Sequence, residues 1–311
     1  SARSKTSEPT GGAMGRTSAR LAAIFKRPPA EMPPPIVISG FPRSGTTWLA
    51  EVLATTPNVG LLFEPLNTSE VSEARDAGCS WDNFRKKDES WPQGTDLMHA
   101  ILSGRVLNNW TASRLPITKA PHVQRWIVKF VRANPMFAWI VENFSLAKPV
   151  LVIRHPCAVY SSWTFRNWPV TTYAPPAKAR FFETFPEYLS IRDELTTPEE
   201  YFVAAWCMEH VAIFRQLAPD QYHVCFYEDL LIDPTSELSR ICGSWDLPLP
   251  SNLSEIIQRP SGKASDTLES NAMRQLEGWK KRLPQATASR IIRVLEKFDL
   301  QLYDESLTPR Q

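Results

Sequence analysis

Residues Ile36–Trp48 read IVISGFPRSGTTW. Ile36, Val37 and Ile38 form a short β-branched run, and Gly40 closes it in a turn. Thr46–Thr55 carries the apolar spacing of a helix. Strand, glycine-containing loop and helix, in that order, are the setting a phosphate loop requires. Backbone N–H groups at a helix start make an anion cradle, and the helix dipole favours negative charge there. Gly45 lets the backbone approach an oxyanion closely. Thr46 and Thr47 add hydroxyl donors, and Ser44 belongs to the same cradle.

Gly40-x4-Gly45 has the spacing of the nucleotide loop G-x-x-x-x-G-K-[ST], but Thr46 stands where the lysine belongs. Kinases and NTPases place that lysine on the β/γ-phosphates, so its replacement speaks against ATP or GTP hydrolysis. The cation sits inside the loop instead, at Arg43. A nucleotide kinase or NTPase with a degenerate loop remains the alternative enzyme class. A hydrolase elbow at Ser44 is excluded, because G-x-S-x-G needs glycine where Pro42 stands.

Outward from the loop, apolar strands alternate with helices. Gly60–Glu64 and Val150–Ile153 read as strands, and His155-Pro156 as a helix start. His223–Tyr227 reads as a strand, and Pro234–Trp245 and Ala286–Phe298 as helices. Ile117–Ala120 suggests a strand, Val123–Phe144 a helix, and Glu199–Leu217 an amphipathic helix opened by Pro198. Residues 67–100 and 166–198 read as two lids rich in Trp, Pro and aromatic residues. Strands apolar on both faces imply a parallel sheet covered on both sides. The predicted fold is α/β, a parallel sheet flanked by helices in a P-loop-like three-layer αβα arrangement. Residues 1–35 read as a disordered basic, Pro-rich lead and residues 36–311 as a single domain.

The 311 residues are 43% hydrophobic and 22% charged, an ordinary globular profile. Net charge is +2. Six cations against two acids put +4 in residues 1–35 and leave the rest near −2, so charge gives no nucleic-acid footprint. No apolar run is long enough to span a membrane. The five cysteines, Cys79, Cys157, Cys207, Cys225 and Cys242, are odd in number and contain no C-x-x-C pair. They indicate a reducing, cytoplasmic setting. N-x-[ST] sequons at Asn67, Asn109, Asn143 and Asn252 point the other way, to a secretory lumen.

The run PRSGTTWL closely resembles the 5′-phosphosulfate loop of the sulfotransferases. A second segment, Val150–Ser162 (VLVIRHPCAVYSS), resembles the family's 3′-phosphate motif. The resemblance implies that Arg154 and Ser162 hold that phosphate. Arg154, at a strand's C-terminal end, sits where open α/β sheets bind ligands. Cys225–Pro234 (CFYEDLLIDP) resembles a third family segment, which implies Tyr227 beside adenine and Trp48 stacked on it. The implied donor is 3′-phosphoadenosine 5′-phosphosulfate, leaving adenosine 3′,5′-bisphosphate, without a metal. The family's C-terminal phosphate loop has two stand-ins, Arg259–Lys263 and Trp279–Arg282, with Lys263 as a candidate contact.

Transfer to a hydroxyl requires a general base. Glu64, in Phe63-Glu64-Pro65-Leu66, matches the position of the base in tyrosylprotein members and the F/Y-E-P-L of carbohydrate 6-O-sulfotransferases. His122, in Lys119-Ala-Pro-His122, is the rival by likeness to K-T-H-L-P of cytosolic members, and Lys119 matches that lysine. The expected acceptor is a hydroxyl on a carbohydrate or glycoconjugate, with a phenol, lipid or small alcohol as the alternative.

Overall fold

The computed structural model describes residues 32–170, 179–251, 253–256 and 272–310. Five strands form one parallel sheet: β1 (Ile36–Gly40), β2 (Val59–Phe63), β3 (Arg125–Lys129), β4 (Ala147–Ile153) and β5 (His223–Phe226), in the order β2-β3-β1-β4-β5. Ile38 lies opposite Lys129 on β3 and Val150 on β4, while Phe63 pairs with Lys129.

Strand periodicity explains the layers. Ile36 and Ile38 face one core with Leu49, Val52 and Leu53 of α1 (Thr46–Leu53). Val37, between them, faces the larger core opposite. That core takes α2 (Pro92–Leu102), α3 (Phe137–Asn143), α4 (Pro156–Thr164) and α5 (Pro198–Phe214). After β5 come α6 (Tyr227–Ile232), α7 (Pro234–Gly243), α8 (Ala272–Arg282) and α9 (Gln285–Lys297). Both faces of the sheet are covered, as the apolar strands required.

Four expectations need correction. Val123–Phe144 is not a helix throughout. Its first part is β3, because Trp126, Ile127 and Val128 are buried on both faces between β1 and β2. A short apolar run reads alike for a buried strand and a buried helix. Ile117–Ala120 is not a strand; Ile117 is 59% exposed in a turn. The two lids contain core. Trp91 packs on Trp139 with ring centroids 5.3 Å apart, and α2 buries Met98 and Ile101. Phe181 packs edge-on against Phe84. Finally, α5 is buried on all sides instead of amphipathic. It opens on a capping box, Thr197 with Glu200, followed by Pro198. Helix α8 was not expected at all.

The topology positions a crevice. The chain leaves β1 towards β2 and leaves β4 towards β5, so neighbouring strands send their helices to opposite faces. The C-terminal ends of β1 and β4 are therefore the switch point, where open α/β sheets bind ligands.

Candidate active site

The loop at the end of β1 turns through two left-handed residues, Arg43 (φ 74°) and Gly45 (φ 92°). The Ser44 N–H donates to the Phe41 carbonyl at 3.1 Å, closing the turn. Gly45 has a steric reason to be glycine: a Cβ there would lie 2.3 Å from the Tyr227 ring. Helix α1 starts on this loop with no side-chain cap, so its first N–H groups face the crevice unclaimed by a neighbouring side chain.

Five sequence-nominated residues meet here. Arg43 Nε donates to Ser162 Oγ at 3.1 Å, joining the loop to α4. Arg154 Nη1 donates to the Arg43 carbonyl at 3.0 Å, joining β4 to the loop. The Arg154 guanidinium lies 4.3 Å over the Tyr227 ring, and Tyr227 covers Gly45. Burial lowers the Arg43 pKa to about 10, with the positive charges of Arg166 and Arg154 adding to the effect. Such crowding of cations is unfavourable in itself and favourable once an anion enters. Ser44 Oγ and Arg154 Nε, both in this crevice, are among the buried donors without a hydrogen-bond partner among the described residues. Both belong to the loop and strand end that would hold phosphate. Thr46 is buried, and Thr47 and Trp48 are half-buried at the start of α1.

Glu64 follows β2 on the same edge of the sheet, with a left-handed backbone (φ 44°) rare outside glycine. Its N–H still donates to the Lys129 carbonyl, and Trp110 Nε1 donates to its carbonyl at 3.2 Å. Its carboxylate meets Lys129 Nζ at 2.7 Å and Arg132 Nη1 at 3.4 Å. The Lys129 side chain is 1% exposed and also lies 4.9 Å from the Phe63 ring. Arg132 stacks 4.1 Å over Trp81, which is itself exposed.

The structure does not bring Lys119 and His122 to this edge. Lys119 Nζ donates to the carbonyls of Ala54 and Thr56, beyond the C-terminal end of α1. The loop is at the other end of that helix, about 12 Å away at 1.5 Å per residue. His122 is exposed in a 3-10 turn that precedes β3. Lys263 lies outside the described residues. Of the second stand-in, Arg282 reaches α4, donating from Nε to Ser161 Oγ at 2.9 Å, beside Ser162.

Sequence reasoning missed Lys129, Arg132 and Arg166. Lys129 had a signal. It is the cation that ends an apolar strand, the same feature that marked Arg154. Of the sequons, Asn67 is buried and Asn143 donates to two backbone carbonyls, Lys87 and Trp139. All five cysteines are free and buried. No described helix is long and apolar enough to cross a membrane.

The chain resembles three solved structures in particular. The sulfotransferase domain of the Synechococcus PCC 7002 olefin synthase shares 20% identity, covers 90% of this chain and 99% of its own, and has a TM-score of 0.47. The sulfotransferase domain from the curacin biosynthetic pathway shares 17%, covers 87% and 99%, and has a TM-score of 0.48. Sulfotransferase STF9 from Mycobacterium avium shares 12%, covers 96% and 83%, and has a TM-score of 0.42. No curated protein sequence matches the chain. A family model described as the sulfotransferase family matches residues 34–251, which include all five strands of the sheet and the phosphate loop. The chain belongs to the sulfotransferase family and is a sulfotransferase.

Proposed function

We propose that the chain moves the sulfuryl group of 3′-phosphoadenosine 5′-phosphosulfate to a hydroxyl of a carbohydrate or glycoconjugate. One observation carries the donor: Arg43, Ser162 and Arg154 are joined by hydrogen bonds across the β1/β4 switch point, with the Tyr227 ring packed under the Arg154 guanidinium. Loop and helix start suit the 5′-phosphosulfate. Arg154, with Ser162 two turns into α4, suits the 3′-phosphate, and the Tyr227 ring suits adenine.

Transfer forms a bond from the acceptor oxygen to sulfur as the bond to the bridging oxygen breaks. The acceptor proton goes to Glu64, and adenosine 3′,5′-bisphosphate leaves. Arg43 offsets charge on the transferring group, and Lys129 takes the cation role first given to Lys119. The sugar acceptor rests on Phe63–Leu66 (FEPL) and on the exposed Trp81 face beside Arg132 and Glu64.

Two experiments test this. Calorimetry with adenosine 3′,5′-bisphosphate without magnesium should show tight binding, and ATP with magnesium should not; the reverse would move the chain to a kinase-like reading. Incubation of sulfur-labelled donor with a cell extract should label a glycan fraction. Label confined to phenols or lipids would overturn the acceptor assignment.

A further inference from the structure

Arg154 and Tyr227 are each followed by a buried ionisable residue, His155 and Glu228. Neither is used by the transfer reaction. Glu228 is 2% exposed, and both its oxygens are occupied. Oε1 accepts the backbone N–H of His155 at 3.0 Å, and Oε2 accepts the Tyr303 hydroxyl at 2.8 Å. One carboxylate thus ties the residue after Arg154 to the residue after Tyr227 and to the C-terminal segment.

The same segment holds His155. The Cys157 N–H donates to His155 Nδ1 at 3.2 Å and caps α4, which puts the ring proton on Nε2. That proton goes to the Asp304 carbonyl at 2.9 Å. The ring stacks on Trp279, with centroids 4.7 Å apart, and lies 4.8 Å from Tyr303. Leu307, further along, lines the small cleft formed with Arg154, Tyr227, Glu228 and Gln275.

Packing alone does not explain this carboxylate. An apolar side chain would fill the space without the desolvation penalty of a buried acid, several kcal/mol in real proteins. Burial does push the Glu228 pKa up. What an apolar residue could not do is hold two strand ends at a set separation. That separation matters because the Arg154 guanidinium lies only 4.3 Å from the Tyr227 ring.

We infer that Tyr303 and Glu228 are positioning residues of the nucleotide site, and that the C-terminal segment 300–310 sets its selectivity for a 3′-phosphate. Both oxygens of Glu228 and the Tyr303 hydroxyl are committed within the protein. The two residues act through Arg154, whose aim depends on where the ends of β4 and β5 are pinned. The inference rests on the donor reading above.

The test is a ratio of affinities measured by calorimetry on the full chain. Adenosine 3′,5′-bisphosphate and adenosine 5′-monophosphate differ only in the phosphate given to Arg154. Wild type should prefer the bisphosphate. Tyr303→Phe, which removes one hydroxyl, should reduce that preference about tenfold, equivalent to 1.4 kcal/mol. Its monophosphate affinity should change less than twofold. Glu228→Gln keeps volume and one acceptor oxygen, and should act in the same direction if Tyr303→Phe does not fold. A merely structural role would weaken both nucleotides or lower the melting temperature, with the ratio unchanged, and would overturn the inference. Wild type binding both nucleotides equally would overturn the donor reading, and this inference with it. A wild-type preference that survives both substitutions would overturn the positioning role alone.

Discussion

Replacing Glu64 with Gln separates two roles that share one carboxylate. As counter-ion, Glu64 neutralises Lys129, whose ammonium is 2.7 Å away on a side chain only 1% exposed. Removing one partner of a buried pair costs about 3–5 kcal/mol, because the other charge is left uncompensated. Two features reduce that figure here. Gln retains a carbonyl oxygen for Lys129, and the Phe63 ring lies 4.9 Å from the ammonium, a contact contributing about 0.5–2 kcal/mol. The expected loss of stability for Glu64→Gln is therefore about 2–3 kcal/mol, read from urea unfolding. As general base, Glu64 contributes to rate, and its removal should slow single-turnover transfer ~10²–10⁴-fold at saturating donor. Affinity for adenosine 3′,5′-bisphosphate should stay within threefold, since the nucleotide cluster does not include Glu64. The double variant Glu64→Gln, Lys129→Met removes both charges of the closest pair and leaves only the more exposed Arg132. Neutral replacement of a buried pair is often tolerated, so at least half of the lost stability should return while transfer stays slow. Transfer within tenfold of wild type in Glu64→Gln would refute the base assignment. A stability loss below about 0.5 kcal/mol would refute the buried-pair argument.

Gly45→Ala should lower bisphosphate affinity ~100-fold by calorimetry, because the added methyl group meets the Tyr227 ring at 2.3 Å and the backbone has φ 92°. Gly78→Ala, at φ 78° with nothing within 4 Å of the new Cβ, should cost only about 1 kcal/mol of stability and leave affinity unchanged. Lys119→Ala should lose about 1–2 kcal/mol from two broken hydrogen bonds at the end of α1, with kcat within twofold of wild type. A hundredfold fall in kcat would restore its catalytic candidacy. His155 and His210 are both lowered to about 4 by burial. Each therefore supports folding above the ordinary histidine pKa of 6.5, and that support is lost as pH falls towards 4. Between pH 6.5 and 5 each should withdraw about 2 kcal/mol, and His210→Phe should remove its own share from the pH dependence of urea unfolding.

The readable parts of the site carried their constraint locally. Gly40–Thr47 reads as a phosphate loop because turn, glycine and helix start follow one another within eight residues. Arg154 reads as a ligand residue because an unbroken apolar strand ends on it. Lys129 satisfies the same rule, yet β3 was hidden inside a longer stretch with helical spacing, and only pairing with β1 and β2 separates strand from helix there. Lys119 and His122 failed for the complementary reason. Their local pattern was suggestive, but they stand before β3, on the edge opposite the loop. The aromatic lids misled because a chain segment without periodicity reads as surface. Trp91, Phe181 and Tyr188 pack against partners 48 to 110 residues away in Trp139, Phe84 and Phe298, contacts that no local pattern contains. The Glu228–Tyr303 bond, spanning 75 residues, is of the same kind.

Sheet order explains why separate segments converge on one anion. β1 and β4 are neighbours but are far apart in sequence, and each leads into an arginine, Arg43 in the loop after β1 and Arg154 directly after β4. At the end of β1, Arg43 spends its side chain on the Ser162 hydroxyl and its carbonyl on Arg154. Neither partner carries negative charge. The buried acid beside Tyr227, Glu228, commits both oxygens to His155 and Tyr303 and forms no ion pair with Arg154 among the described residues, although its charge is felt there. An Arg43 pKa of about 10 still leaves the group cationic at neutral pH. The crevice therefore keeps at least two guanidinium charges, Arg43 and Arg154, with unpartnered donors at Ser44 and Arg154 beside them. A site serving only the fold would be expected to pair those charges, since uncompensated buried charge is among the costlier arrangements available. On the proposed reading the compensating charges belong to the ligand, and two guanidinia placed after two neighbouring strands suit an anion with two separated charged groups better than a single phosphate.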